Sequence, residues 1–507
     1  MATIKRHIEI MDTTLRDGEQ TSGVSFSASE KLTIAQLLLT EVKVDRIEIA
    51  SARVSEGEFQ AVKKITEWAK ANGYLDRVEV LTFVDGETSV NWMLESGAKV
   101  MNLLTKGSLN HLMHQLKKTP EQHFAEVGAV IALAAKNAIE CNVYLEDWSN
   151  GMRNSKEYVL QYLDFLQTQP VKRILLPDTL GVLIPEEAFE YVSSLVKRYP
   201  EIHFDFHAHN DYDLGTANVL EAVKAGAKGI HLTVNGMGER AGNAPLASAI
   251  AVLNDFVKEV TTSVVEESLY SVSKLVENFS GFMIPANKPV VGENVFTQTA
   301  GIHADGDKKN NLYYNDLMPE RFGRQRKYAL GKTSGKANIE NNLIQLGIQL
   351  SDEDLKKVTQ RVIELGDRKE TVTQADLPYI ISDILDSSAI EEKVQIENYV
   401  LTHSKNLRPS VTLRISINGE IFERQAQGDG QYDAFMNALR KVYAQKKIEL
   451  PSLTDYNVRI PPGGKSDALC ETIITWLHNG KEFKTRGLDS DQTVSAIQAT
   501  QKMLNII

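Results

Sequence analysis

A chain of 507 residues is several times the usual domain of about 100 to 200 residues, so a single small binding module is excluded and more than one folding unit is expected. With 42% hydrophobic and 24% charged residues the composition is that of a packed globular protein, and only two cysteines, Cys141 and Cys470, exclude a disulfide framework and suit a reducing, cytoplasmic compartment. Acidic residues outnumber basic ones by 67 to 56, a formal charge of -11, which opposes unassisted attraction to nucleic acid or an anionic membrane.

The first residues become strand-like within about seven positions, leaving no room for the charged and apolar regions of a signal peptide. The most apolar helical stretch, Val127 to Ile139, is interrupted by Lys136 and Asn137 and falls short of the roughly 18 apolar residues of a membrane span. Over the first 250 residues, eight β-rich runs alternate with helical patterns. The runs are His7–Asp12, Arg46–Ala50, Val78–Phe83, Val100–Leu104, Asn142–Leu145, Arg173–Leu176, Ile202–Phe206 and Gly229–Val234. The helices are expected over Ser27–Val42, Glu56–Ala71, a short Ser89–Glu95, Pro120–Glu140, Ser155–Leu166, Pro185–Arg198, Leu214–Ala225 and Pro245–Phe256. Eight βα units are the number that closes a (β/α)8 TIM barrel, whereas an open doubly wound sheet normally stops at five or six strands.

Three segments are expected: a barrel over residues 1–265, an extended linker with a helical subdomain and no strands over 266–395, and an α+β domain over 396–507. The last carries an internal repeat at an offset of 61 residues, in which Gly419, Phe422, Gln431, Ala438 and Lys441 recur as Gly480, Phe483, Gln492, Ala499 and Lys502, each time as strand, turn and helix. A cleft between such copies is a natural small-ligand site.

Reactive groups of a barrel belong at the C-terminal ends of its strands. Ionisable residues crowd that end here, in Thr13–Gln20 after the first strand, Tyr144–Asp147 after the fifth, Pro177–Thr179 after the sixth, His207–Asp211 after the seventh and Asn235–Asn243 after the eighth. His207 and His209, two apart on an extended segment, point to one side and suit a shared cation with Asp17 and Asn243 nearby; such a set fits Zn²⁺, Mn²⁺ or Fe²⁺. Arg16 beside a metal ligand calls for an anionic or polarised group between them, and a 2-oxo acid is one. The alternative is a structural pairing of Arg16 with Glu146 or Asp17.

The runs DTTLRDGEQ, HAHND and NGMGERAGNAP resemble the alpha-isopropylmalate synthase family, which includes homocitrate and citramalate synthases, and the likeness extends through GIHADG to the two-copy C-terminal domain. The resemblance implies condensation of acetyl-CoA with a 2-oxo acid. It makes Asp17, His207, His209 and Asn243 ligands of a divalent metal, Zn²⁺ or Mn²⁺; Arg16 the group that polarises the ketone; Thr179 a donor to the substrate carboxylate; and Glu146 an acid/base or water-orienting residue. It further implies a homodimer in which His303 is donated to the other protomer, acting with Tyr313 or Tyr314, and a C-terminal domain that senses an amino acid.

The side chain of the oxo acid is expected to meet Leu81, Leu104 and Tyr144, a trio that resembles the citramalate branch, where the wall admits only a methyl group. Tyr144 takes roughly the volume an isopropyl group would need, so pyruvate is the expected acceptor. Tyr432, Asp433, Leu453 and Tyr456 resemble the effector pocket of the isoleucine-inhibited branch. The rivals are a 2-isopropylmalate synthase inhibited by leucine and a catalytically silent amino-acid sensor; retention of Arg16, Asp17, Glu146, His207, His209 and His303 together argues against the sensor.

Overall fold

The computed structural model describes residues 5–308, 310, 312–346, 348–367, 372–385, 393–459 and 470–506. They form two units, Met1–Phe296 with Asn315–Gln325, and Thr297–Tyr314 with Arg326–Ile507.

In the first unit eight parallel strands close on themselves in chain order: β1 (Glu9–Asp12), β2 (Arg46–Ser51), β3 (Val78–Phe83), β4 (Val100–Lys106), β5 (Glu140–Glu146), β6 (Arg173–Asp178), β7 (Phe204–Ala208) and β8 (Gly229–Leu232). β8 pairs with β1 from Gly229 opposite Glu9 to Leu232 opposite Asp12, which seals the barrel. The expected TIM barrel is therefore present. Its outer helices are α1 (Ala28–Leu37), α2 (Glu56–Asn72), α3 (Thr88–Ser96), α4 (Pro120–Lys136), α5 (Lys156–Leu166), α6 (Pro185–Arg198), α7 (Gly215–Ala225) and α8 (Leu246–Phe256). Local chemistry starts several of them. Ser27 accepts from the backbone of Glu30 while the Glu30 side chain accepts from Ser27, and Thr119 with Gln122 repeats this before α4, where Pro120 occupies the first turn.

Local differences from the sequence reading have physical causes. His7 leaves the first run and, with Arg6, pairs separately with Val260–Thr261. Helix α4 stops at Lys136 rather than Glu140: Ala138 takes a left-handed φ of 54° and Glu140 already belongs to β5.

The barrel lumen is polar where strand ends meet. Arg46 on β2 pairs with Glu79 on β3 and Asp205 on β7, and its Nε lies 3.0 Å from Glu9 on β1. Each of these strands also turns apolar residues outward to the helices, as Ile47, Ile49, Val78, Val80, Phe204 and Phe206 do in the main core.

In the second unit the helical region contains α10 (Gly301–Lys308), α11 (Lys336–Gln345), α12 (Asp352–Asp367) and α13 (Leu377–Leu385); α9 (Leu269–Ser280) belongs to the first unit. Residues 347 and 368–371, within the expected helical stretch, lie outside the described residues. Two expectations for this region are corrected. Thr297–Gln298 and Lys327–Tyr328 pair as short parallel strands, and the GIHADG stretch is helical rather than extended, with Ala304 buried. The pairing fits because Ala329 N reaches Gln298 O at 2.9 Å and Asn338 Nδ2 caps Gln298 O and Thr299 O, so local backbone groups find partners without a regular sheet.

The C-terminal part repeats a motif of three antiparallel strands and a helix: β9 (Val394–Ser404), β10 (Leu407–Ile417), β11 (Glu420–Gln427) and α14 (Gln431–Lys446), then β12 (Ser452–Arg459), β13 (Cys470–His478), β14 (Lys481–Asp489) and α15 (Gln492–Leu504). The repeat unit thus holds two more strands than the single strand read before each helix. Both helices cover one shared apolar core that includes Leu413, Ile415, Phe435, Leu439, Ile474, Trp476 and Ile497.

Candidate active site

After β1 the chain turns tightly, with the backbone N–H groups of Asp17 and Gly18 both reaching Thr13 O, so Arg16 and Asp17 face the barrel mouth. The turn is anchored from behind by Lys31, a fully buried lysine on α1. Its Nζ donates to Leu15 O at 3.1 Å and lies 2.6 Å from both Glu19 and Glu58.

Asp17, His207 and His209 are buried together, with one ligand atom of each lying within 4.8 Å of the others. His207 Nε2 is 3.5 Å and His209 Nε2 3.8 Å from Asp17 Oδ2. Burial lowers both imidazoles, that of His209 to about 4, so both are neutral at pH 7 and carry a free lone pair. Burial works against the charge of Asp17, but Arg16 and the two imidazoles hold its carboxyl well below the usual range. Two neutral imidazoles around a carboxylate make a donor set suited to a divalent cation. Two further observations fit one. Asn243, bridged to His209 through the backbone, donates Nδ2 to Asp17 Oδ1 at 3.1 Å and to Met237 O at 3.0 Å, which leaves its buried Oδ1 without a hydrogen-bond partner. Gly238 lies so close that a Cβ there would come within 2.2 Å of the Asn243 amide, and its φ of 152° is strained for other residues.

Arg16 donates Nε to Glu48 at 2.6 Å, Nη1 to Asp17 at 2.8 Å and Nη2 to the Tyr144 hydroxyl at 3.4 Å. The structural pairing considered for Arg16 therefore exists with Asp17, and with Glu48 in place of Glu146. Glu146 pairs instead with Lys106 on the neighbouring strand. Thr179, just past β6, accepts from the Asp147 backbone N–H at 2.9 Å and is half-buried.

Leu81 and Tyr144 meet in a small buried cluster with Leu175, and Leu104 packs against it. This brings the three expected pocket residues together, beside the candidate metal ligands, because the Tyr144 ring stands edge-on to His207 at 6.0 Å.

In the second unit His303 packs against Tyr313 with ring centroids 4.3 Å apart and ring planes tilted by 42°, whereas Tyr314 lies under the guanidinium of Arg326 at 4.0 Å. Tyr432, Asp433, Leu453 and Tyr456 line one pocket of about 630 Å³, together with His403, Gln431 and Gln492. The Tyr432 and Tyr456 rings are 5.4 Å apart, and the Tyr432 hydroxyl is 2.7 Å from Thr500 Oγ1.

The sequence reading missed Glu48, Lys106, Leu175, Asp205 and His231. A signal was available: Glu48 in RIEIAS lies between two isoleucines and Asp205 in FDFHA between two phenylalanines, and a charge in a strand buried on both faces must find a partner.

A closed (β/α)8 barrel with an Asp/His/His group at its mouth is the architecture of a barrel enzyme, and the chain matches the HMGL-like family over residues 7–276. The remainder matches a homocitrate synthase post-HMGL domain-like model over 290–370 and a LeuA allosteric (dimerisation) domain over 371–507. A protein of Methanopyrus kandleri, provisionally named (R)-citramalate synthase CimA, is 35% identical over 92% of this chain and 89% of its own length. Two proteins of Methanocaldococcus jannaschii are also similar: (R)-citramalate synthase CimA, 32% identical over 99% of each chain, and 2-isopropylmalate synthase, 31% identical over 99% of this chain and 95% of its own. The chain belongs to the alpha-isopropylmalate synthase and homocitrate synthase family, a group of acyltransferase-type synthases. Among the described residues no helix is long and apolar enough to cross a membrane.

Proposed function

We propose that the protein is an (R)-citramalate synthase that condenses acetyl-CoA with pyruvate and water, releasing citramalate and coenzyme A. The observation that carries the choice of pyruvate is the buried Tyr144, wedged with Leu81 and Leu175 beside Arg16. An aromatic ring fixed there leaves space for a methyl group and meets an isopropyl group with a clash.

A divalent cation, Zn²⁺ or Mn²⁺, held by Asp17, His207 and His209 with Asn243 beside them, supplies Lewis acidity toward the ketone. Arg16, kept on the site by Glu48 and Asp17, donates hydrogen bonds to the oxygen on which negative charge develops. Thr179 takes the carboxylate of the oxo acid. The acetyl methyl must lose a proton, and the new hydroxyl must gain one. Glu146, held by Lys106, is assigned to proton transfer or to orienting the water that cleaves the thioester. His303, donated to the other protomer of a homodimer, is assigned to proton abstraction with a tyrosine; its ring contact with Tyr313 favours Tyr313 over Tyr314 in that role.

The C-terminal pocket is proposed to bind isoleucine. Asp433 offers a carboxylate to an ammonium group, and Leu453 with Tyr456 offers an apolar wall to a branched side chain. The domain division at residues 265 and 395 is proposed on the same basis: chemistry in the first part, a bridge in the second, feedback in the third.

The experiment is release of free thiol from acetyl-CoA with pyruvate, 2-oxobutyrate and 2-oxoisovalerate, with and without a chelator. Pyruvate is expected to give the highest kcat/KM, and the chelator to abolish turnover. Preference for 2-oxoisovalerate overturns the assignment in favour of a 2-isopropylmalate synthase, and turnover on none of the acids leaves a sensor.

A further inference from the structure

Tyr144 excludes larger acids only if it cannot swing aside, and what holds it is a residue outside the pocket. We infer that His231, buried on β8 behind the pocket wall, is a positioning residue that sets the size limit for the oxo acid by fixing the Tyr144 hydroxyl. The inference rests on the pocket reading above and deepens it.

The direction of each hydrogen bond follows from the groups present. His231 Nε2 is 3.0 Å from Asp205 Oδ2, and His231 Nδ1 is 2.9 Å from the Tyr144 hydroxyl. Asp205 also accepts from Arg46 Nη2, its partner in a buried ion pair, and so stands as a carboxylate. A carboxylate only accepts, so Nε2 of His231 carries the proton. Arg16 can only donate into the Tyr144 oxygen, so the phenol proton turns to Nδ1, which is left as the acceptor of a neutral imidazole. The Tyr144 phenol keeps its proton at neutral pH, as a phenol does, and donates it to Nδ1. Its oxygen then accepts from Arg16, which can only donate. One ordered relay results, Arg16 to Tyr144 to His231 to Asp205, with Arg46 closing it, and reversing any link leaves two donors or two acceptors face to face.

Two consequences follow for the pocket. The ring is held at both ends, by Leu81 and Leu175 along its body and by His231 at its tip, so admitting a branched acid requires breaking a buried hydrogen bond as well as moving the ring. The phenol oxygen also gives the third arm of the Arg16 fork a resting partner on the pocket side, away from Glu48 and Asp17.

The test uses the intact enzyme and three variants: His231→Gln, which still donates to Asp205 but offers no acceptor at the Nδ1 position; Tyr144→Phe; and the two combined. In His231→Gln the ratio of kcat/KM for pyruvate to that for 2-oxobutyrate is expected to fall roughly tenfold, the discrimination one methylene carries in an apolar pocket. Tyr144→Phe should show a similar fall, and the double variant no further one, because both act through the same hydroxyl. A ratio unchanged in His231→Gln, with the wild type preferring pyruvate, overturns the inference while leaving the proposed function standing. So does a parallel loss on all acids, or effects that multiply in the double variant. If the wild type itself prefers 2-oxoisovalerate, the pocket reading fails first and this inference falls with it.

Discussion

Asn243 donates its side-chain amide to Asp17 Oδ1 across 3.1 Å, tying the loop after the last barrel strand to the loop after the first. The bond spans the seam where the barrel closes, and its backbone bridge to His209 makes Asn243 a joint between two members of the Asp/His/His group, Asp17 and His209. The donor set is thus held by barrel closure itself.

Replacing Asn243 by Ala keeps the backbone bridge and removes only the support of Asp17 and the nearby oxygen. Affinity for Zn²⁺ or Mn²⁺ is expected to fall roughly 10- to 100-fold, the usual effect of losing a group that orients a ligand. Metal content after dialysis against graded chelator measures this directly. Retention equal to the wild type would remove Asn243 from the site.

Lys31 tests how the same loop is anchored. Its ammonium is fully buried between Glu19 and Glu58, whose side chains are only 19% and 15% exposed, so Lys31→Met strands two carboxylates. A loss of about 3 kcal/mol in barrel stability is expected, the lower end for breaking a buried ion pair, because both partners retain some access to water. Urea unfolding followed by tryptophan fluorescence reads it. A midpoint unmoved from the wild type would mean the pairs contribute nothing net.

Much of this architecture can be read in the sequence, and the exceptions share a cause. The helix Pro185–Arg198 is found to the residue, because proline and two glutamates mark its start and Lys197–Arg198 its end. Helix α4 is read too long because no glycine marks its end; Ala138 makes the left-handed turn instead. At the site, Asp17, His207 and His209 are legible from their places at strand ends, and Leu81 with Tyr144 from resemblance. The relay behind them is not legible. Arg46 and Asp205 are 159 residues apart, and periodicity carries no information about which buried charge meets which across a barrel. Hence Arg16 finds Glu48, while Glu146 finds Lys106.

Acid stability offers a probe away from the metal ligands. His123 is buried on α4 beside Tyr162, with Lys106, Lys118 and Glu126 as its charged neighbours, and its Nε2 accepts the Lys106 backbone N–H at 3.3 Å. An imidazolium cannot accept that bond. Burial lowers the imidazole from 6.5 to about 4, so between those values the unfolded chain binds a proton that the folded chain does not. Stability is present above pH 6.5 and is lost as pH falls toward 4, by about 2 kcal/mol at pH 5. In His123→Gln, whose amide oxygen can still accept, the drop in unfolding free energy between pH 7 and pH 5, read from urea curves, should shrink by that amount. An equal drop in both proteins would show that His123 does not titrate.

Leu81 is the aliphatic side of the pocket wall, 5% exposed and packed on Tyr144. Leu81→Ala should raise kcat/KM on 2-oxobutyrate relative to pyruvate by about 10-fold or more, since about 1 to 3 kcal/mol attends each methylene accommodated. The cavity should lower stability by about 2 to 5 kcal/mol as well, so the selectivity ratio, and not the rate on one acid, is the decisive quantity. A ratio that stays constant would place Leu81 in the barrel core alone.

The effector pocket gives the last test. Asp433 lies in the first turn of α14, where Oδ2 accepts from Asp429 N at 3.0 Å and from Asn437 at 3.1 Å, while Oδ1 lies 3.8 Å from Arg440. That oxygen is the natural acceptor for an amino acid's ammonium group, while Tyr456 and Leu453 meet its side chain. Asp433→Asn keeps the size and halves the acceptor capacity. A charge-assisted bond contributes about 1.5 to 3 kcal/mol, so the isoleucine concentration giving half inhibition should rise at least tenfold. Titrating isoleucine and leucine separately against thiol release, in the wild type and the variant, distinguishes the cases. A wild type inhibited only by leucine would reassign the effector, and one that responds to neither would leave the domain with dimerisation as its role.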